Sequence, residues 1–236
     1  MNLSVILPCF NEEANIEHTV RDVVEWFRHA GIEGEIVVVN DGSTDGTAEV
    51  LKRLCADISR LRVIQHPVNR GYGAAVRSGC DAALGDLIAF MDSDGQFRAE
   101  DFGLLLPHLD RYVFVTGRRK KRADPFMRTV NAKLFGLLSF AVLGIWVRDV
   151  NCAMKVFRRD IWSLIRPTHA TGALVNAEMF FRLKQNGIPW YQVDVHHYPR
   201  TAGAQTGANL TVIFRMFREL FALKKAPCKR HAAKDR

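Results

Sequence analysis

Short, uninterrupted apolar runs alternate with segments of helical periodicity through the first half of the chain. Leu3–Leu7 reads as a buried strand stopped by Pro8. Ile16, Val20, Val23, Val24 and Phe27 recur at helical spacing, with Asn11 as the expected N-cap and Gly31 as the stop. Ile36–Val39 is a continuous β-branched run of the kind found in parallel sheets covered on both faces. The turn-rich Asn40–Thr47 then leads to a helix over 48–55. A third strand, Leu61–Gln65, precedes Asn69–Gly73 and a helix to about Leu84; a fourth covers Leu87–Met91. Strand–helix units in succession predict an α/β domain with a mostly parallel central sheet flanked by helices. Open sheets of this kind bind ligands outside the carboxyl ends of their strands. Residues 8–12, 40–45, 69–73 and 92–96 are therefore expected around one crevice.

The second half is patterned differently. Tyr112–Thr116 reads as a strand, and the basic run Arg118–Arg122 follows it. Residues 125–147 read as a long apolar helix or helix pair, 149–157 as extended, 173–185 as a helix and 190–197 as a strand. A polar, glycine-bearing loop over 198–207 precedes a helix over 210–223, whose Leu210, Ile213, Phe214, Phe217, Leu220 and Phe221 share a side. The expected organisation is one domain over 1–207, then an amphipathic helix and basic tail over 208–236. As a helix the uncharged stretch Leu134–Val147 would be about 21 Å long, short of the roughly 30 Å of a hydrocarbon core. Both apolar helices have two open readings, ordinary core or attachment to a membrane surface.

Composition narrows the class. Of 236 residues, 48% are apolar and 25% charged, as in a folded globular protein. The net charge of +8 is concentrated in the basic run and the tail, which suits phosphate or an anionic membrane surface. No aromatics interleave those clusters, so nucleic-acid binding is not expected. The five cysteines are scattered and free of C-x-x-C spacing, which predicts reduced thiols, no zinc site and a cytoplasmic compartment. The N-terminus lacks the basic region of a signal peptide. There is neither G-x-G-x-x-G nor G-x-x-x-x-G-K-[ST], so neither dinucleotide nor Walker-type binding is supported.

The chemistry concentrates where the fourth apolar run ends in Asp92-Ser93-Asp94-Gly95-Gln96. Carboxylates at the mouth of a core strand are expensive to desolvate. A hard divalent cation, Mg²⁺ or Mn²⁺, would compensate them. The competing reading makes the two aspartates caps of a helix beginning near Ala99.

Taken together, Pro8–Glu12, Val39–Thr47, Asn69–Ala75, Met91–Gln96 and Asp149–Lys155 resemble, in order and spacing, the motifs of the family-2 glycosyltransferases of GT-A fold. Within that family the chain looks most like the dolichol-phosphate mannosyltransferase and polyprenyl-phosphate sugar transferase branch. The resemblance implies that Pro8, Phe10, Glu12, Val39 and Asp41 hold the nucleotide, and that Asp92, Ser93, Asp94 and Gln96 serve the cation and diphosphate. It also implies Arg118 and Arg128 as contacts of the acceptor phosphate, and Arg200, followed by Gly203, as a clamp over the donor diphosphate. Phe10 stands where tyrosine is usual, Asn40 replaces the first of two acids, and Gln205-Thr206 stands where Ser-Lys is usual, which leaves the donor sugar open.

The expected function is a metal-dependent, inverting transfer of a sugar from a GDP- or UDP-sugar to a polyprenyl or dolichyl phosphate. The enzyme would be peripheral at the cytosolic membrane face, where a membrane-embedded partner could take the product. A lipid phosphate is already anionic, so cations can position it without a general base. A hydroxyl acceptor on a soluble glycan or protein would need a carboxylate base, for which Asp149 or Glu178 are candidates; each could instead simply pair a neighbouring cation. A non-catalytic nucleotide-sugar-binding module is the third possibility. Asp94 and Asp149 are thus the expected catalytic carboxylates.

Overall fold

In the computed structural model, β1 (Asn2–Cys9) leads through α1 (Ile16–Ala30) to β2 (Glu33–Asn40), α2 (Thr47–Asp57) and β3 (Leu61–Gln65). α3 (Tyr72–Ala82), β4 (Leu87–Phe90), the short α4 (Phe102–Leu105) and β5 (Phe114–Arg119) follow. The long α5 (Phe126–Leu143), β6 (Lys155–Arg158), α6 (Trp162–Ile165), α7 (Leu174–Gln185) and β7 (Tyr191–Val195) come next. The structure describes residues 2–120, 126–170, 172, 174–200 and 220–224, and the side chains from 133 onward in α5. The strands form one sheet in the order β3-β2-β1-β4-β6-β5-β7, parallel except for β6, which runs antiparallel to both its neighbours.

Two apolar clusters sandwich the sheet. Alternate β1 side chains divide between them: Leu3, Val5 and Leu7 pack with α1 and α2, and Ile6 packs with Val76 of α3, Phe114 and the α7 residues. Buried on both faces, β1 and β2 read as continuous apolar runs for the reason the pattern predicted. Gly79 lets α3 close on the sheet, because a Cβ there would collide with Ile6.

Several boundaries differ from expectation. Pro8 lies inside β1, opposite Val39, and does not stop it. β1 pairs β4 only over Leu3–Ile6, so beyond Ile6 a missing N–H on that side leaves no ladder bond unmade. Asn11 does not cap α1, which starts at Ile16. It takes a left-handed φ of 55°, a conformation Asn tolerates, and its Oδ1 accepts the Thr44 N–H at 2.8 Å. Gly31 does end α1, with φ 61° and its N–H on the Phe27 carbonyl. Most of the predicted C-terminal helix and tail lies outside the described residues. Within helical 220–224, Leu220 and Leu223 are buried on the second cluster while Phe221 is exposed, so Phe221 leaves the face assigned to it. Residues three apart share a helix face; adjacent ones do not.

Candidate active site

The crevice forms at the carboxyl ends of β1, β2 and β4. Past Phe90 the Met91 N–H still bonds the Ile6 carbonyl at 3.3 Å, and the chain then turns out of the sheet through Asp92–Gln96. Asp94 Oδ1 accepts the Gln96 N–H at 3.1 Å, a local turn and not a helix cap. The Ala99 N–H is taken instead by Asp22 of α1 at 2.7 Å, so the capping reading of the two aspartates does not hold. Ser93 is buried, its hydroxyl donating to the Pro8 carbonyl at 2.9 Å and its carbonyl accepting from Thr19 at 3.2 Å. Both Ser93 and Pro8 are thereby fastened into the floor of the crevice.

Asp92 Oδ1 is buried without a hydrogen-bond partner. Burial, and then the Asp94 carboxylate, push the Asp92 pKa up to about 6; Tyr72, Arg119 and Lys155 act in the opposite direction. The Tyr72 hydroxyl is likewise buried and meets no partner at hydrogen-bond distance and angle, yet it stands close enough to hold the Asp92 pKa down. Gln96 gives its amide nitrogen to the Tyr198 carbonyl at 3.1 Å, and the Tyr198 N–H bonds the Gln96 carbonyl at 3.0 Å. These two bonds fasten the exit of β7 to the aspartate turn and carry Arg200 to it. Arg200 reaches Glu12 at 2.5 Å and Asp94 at 3.4 Å, all three side chains being largely buried. Burial raises the Glu12 pKa, against the Asn15 and Arg200 contacts.

Among the residues expected to border the nucleotide, Asp41 is buried and heavily used. Its Oδ1 meets His66 Nδ1 at 2.6 Å and the Arg70 N–H at 3.0 Å, and its Oδ2 accepts the Gly71 N–H at 2.8 Å. Asp41 therefore shapes the 69–71 loop as well as standing at the predicted base position. Gly42 has φ 70°, and a Cβ there would collide with the Val68 backbone, so this approach of the two loops requires glycine. Asn40 is buried and bonds Gln65 at 2.9 Å and the Ser43 hydroxyl at 2.5 Å. Val39 is buried, and Phe10 stands 41% exposed at the rim.

The residues expected on the acceptor side are less gathered. Arg118 lies within β5, not beyond it, opposite Asp194 of β7, and the two form an ion pair while remaining part-exposed. Asp149 is held by Arg119 through a bidentate pair, both contacts 2.7 Å, with both side chains buried. Glu178 is fully buried and accepts the N–H groups of Thr168 (2.7 Å) and Ala170 (2.8 Å) and the Arg182 guanidinium (2.8 Å). Arg128 belongs to α5, and its side chain lies outside the described residues, as do Gly203, Gln205 and Thr206.

Two site residues were not singled out by sequence. Lys155 is fully buried at the start of β6, opposite Phe90, with Nζ donating to the Cys152 carbonyl and lying 5.3 Å from the Phe90 ring. Burial lowers its pKa to about 8, against the attraction of Asp149 and Asp92. A lysine within the apolar run Ala153–Phe157 was the available signal. Tyr72 was hidden by its glycine-rich setting, which directed attention to turn formation.

The profile of the family described as "Glycosyl transferase family 2" matches residues 4–165. A dolichyl-phosphate beta-glucosyltransferase of Trichomonas vaginalis is 32% identical over 69% of this chain and 55% of its own length. An undecaprenyl-phosphate 4-deoxy-4-formamido-L-arabinose transferase of Pectobacterium carotovorum is 28% identical over 96% of this chain and 68% of its own. The chain thus spans between about half and two thirds of these relatives. Among solved structures, glucosyl-3-phosphoglycerate synthase of Mycobacterium tuberculosis, crystallised with Mn²⁺, UDP and phosphoglyceric acid, superposes with TM-score 0.73 at 22% identity, covering 96% of this chain and 79% of that one. Mannosyl-3-phosphoglycerate synthase of Rubrobacter xylanophilus superposes with TM-score 0.71 at 22% identity, covering 94% and 72%. The chain belongs to glycosyl transferase family 2 and has the GT-A fold.

Proposed function

We propose that this member of glycosyl transferase family 2 transfers a sugar from a nucleotide-sugar donor to a polyprenyl phosphate, with inversion at the anomeric carbon. The observation that carries the reading is the convergence of Asp92, Asp94 and Gln96 with Arg200 at the carboxyl end of β4. These residues fit a hard divalent cation. Asp92 brings a buried carboxylate oxygen, the Asp94 carboxylate lies close enough to push the Asp92 pKa up, and Gln96 retains its amide oxygen. Among the described residues no three of His, Cys, Asp or Glu form a complete cage. A cation here would therefore share its coordination with the donor phosphates, as Mg²⁺ and Mn²⁺ commonly do. When bound, it would offset the negative charge that develops on the departing nucleoside diphosphate.

The protein supplies the rest. Arg200, resting between Glu12 and Asp94, can turn its guanidinium onto the diphosphate as the donor enters. Asp41, Val39 and Phe10 would border the nucleotide. Arg118 keeps guanidinium N–H groups beyond those given to Asp194, and with Arg128 would hold the acceptor phosphate in line. Both carboxylates weighed as a base are buried in ion pairs, Asp149 with Arg119 and Glu178 with Arg182. That favours an acceptor whose attacking oxygen is already anionic over a hydroxyl, and it assigns Asp149 to holding Arg119.

The lipid side of the reading rests on α5. Leu134, Leu137 and Phe140 are exposed along it, and Trp146, just beyond it, is 66% exposed and packs edge-on to Phe140 at 5.3 Å. Lys133 and Arg148 are exposed at either end of this patch. No helix among the described residues is long and apolar enough to cross a membrane. We read the patch as the surface that rests on the cytoplasmic face of the bilayer. Residues 208–236 would extend this attachment as an appendage to the catalytic domain.

The test is to incubate the protein with Mn²⁺, a panel of GDP- and UDP-sugars, and either undecaprenyl phosphate or soluble hydroxyl acceptors, and to weigh the products. A glycosylated lipid phosphate is expected. Product confined to the hydroxyl arm would replace the acceptor assignment, and nucleotide binding without donor consumption in any arm would replace the enzyme with a binding module.

A further inference from the structure

Tyr72 opens α3 directly after Gly71, whose φ of 91° and N–H bond to Asp41 fix the turn. Its ring packs against the second apolar cluster, and its hydroxyl is buried without a partner. A buried hydroxyl left unbonded is costly to the fold. Asp92 Oδ1 is another orphan at this end of the sheet, and each group is among the influences on the other's pKa. The cations near Asp92 are held elsewhere, Arg119 on Asp149 and Lys155 on the Cys152 carbonyl. Among the described residues they contribute charge to Asp92 and no hydrogen bond. A tyrosine hydroxyl keeps its proton at neutral pH and towards a carboxylate it can only donate.

We infer that Tyr72 is a positioning residue for Asp92, its hydroxyl donating to Oδ1 while Oδ2 faces the cation. This rests on the cation site proposed above and adds to it the group that aims one ligand. A small rotation of the Asp92 carboxylate converts two unpartnered atoms into one bond, so ligand orientation and the satisfaction of both groups become the same event. Hydrogen-bonded partners of metal ligands typically change metal affinity by about 10–100-fold.

The experiment uses the full chain, Mn²⁺ as the probe, and UDP or GDP in parallel, with free Mn²⁺ followed by electron paramagnetic resonance. Wild type, Asp94→Ala and Tyr72→Phe are titrated, and their melting temperatures are measured. Tyr72→Phe is expected to weaken Mn²⁺ at least tenfold while melting at or above the wild-type temperature, because it removes a hydroxyl that is unbonded in the resting fold. Wild-type Mn²⁺ affinity in Tyr72→Phe overturns the inference and leaves the cation site standing. Wild type binding no better than Asp94→Ala would remove the cation site and the inference with it. If Tyr72→Phe also lowers the melting temperature, the Asp92→Asn background decides. There Tyr72→Phe has no further effect on Mn²⁺ if it acts through Asp92, and the same tenfold effect, which would overturn the inference, if it acts through the fold.

Discussion

The two halves of the crevice are built by different means. On the proposed nucleotide side, loops are fastened to one another by side chains that bond backbone. Asn11 takes the Thr44 N–H, Glu13 takes the Gly46 N–H at 2.9 Å, Thr47 takes the Glu12 N–H at 3.0 Å, and Asp41 holds the 69–71 loop. On the proposed acceptor side, the charged groups pair with each other, and the apolar helix α5 has an outer face that is uncovered among the described residues. A small polar ligand needs donors and acceptors fixed before it arrives, and short polar side chains bonding backbone provide that. A lipid acceptor needs a surface to slide along and cations to stop its head group, and rigidity there matters less.

The largest expected effect tests whether the rigid half carries the chemistry. Asp94→Ala should lower kcat/KM on the order of a thousandfold with the circular dichroism spectrum unchanged. Undiminished turnover in EDTA would move the reaction away from the aspartate turn. The next effect tests whether the acceptor half conceals a base. Glu178 accepts several backbone N–H groups and a guanidinium, and these bonds outweigh burial and hold its pKa below the ordinary value. Glu178→Ala should therefore cost about 3–5 kcal/mol in a denaturant titration, leaving the turnover of the folded fraction intact. Lost turnover with full stability would make it a catalytic carboxylate and erase the contrast.

The same contrast governs what the sequence made legible. The nucleotide side is encoded in contiguous motifs at strand ends, so apolar runs and their polar terminations located β1 to β4 and the crevice. What escaped there was local. Asn before a periodic segment usually caps it, so the sequence points to Asn11 as a cap, yet a left-handed backbone and the Thr44 N–H claim it. The acceptor side depends on pairings distant in sequence. Nothing local to Arg118 reveals that β7 runs beside it with Asp194 in register. In the sequence Asp149 and Glu178 read either as bases or as partners of a neighbouring cation, and only the fold identifies Arg119 as the partner of Asp149. Lys155 escapes the pattern because a charged residue inside a strand contradicts the pattern that defines the strand.

Lys155 lies at the boundary between the halves and gives a pH signature. Its folded-state pKa of about 8 lies below the ordinary value of 10.5. Below about 8 both the folded and the unfolded chain carry the proton, and the full cost of burying the charge is present. Between the two values the unfolded chain binds a proton that the folded chain has released, so stability rises with pH. Urea titrations at pH 7.5 and 9.5 should show wild type gaining about 2 kcal/mol more over this interval than Lys155→Met. Equal gains would mean that water reaches the ammonium and that the boundary between the halves is wet.

The smallest effect tests the uncovered face of α5. Leu137 is 59% exposed, and α5 turns Phe135 and Leu143 into the core from its other side. If the exposed face rests on a bilayer, Leu137→Ser forfeits roughly 1 kcal/mol of transfer free energy, about a fivefold loss of partitioning into vesicles containing anionic lipid. The melting temperature of the soluble protein should not move, because the side chain has little protein packing to lose. KM for a long-chain polyprenyl phosphate presented in vesicles should rise by a similar factor, and KM for the nucleotide sugar should not. The opposite pattern, unchanged partitioning with a lower melting temperature, would mean that protein covers Leu137. The acceptor half would then be packed as closely as the nucleotide half, and the proposed difference in how the two halves meet their ligands would fail.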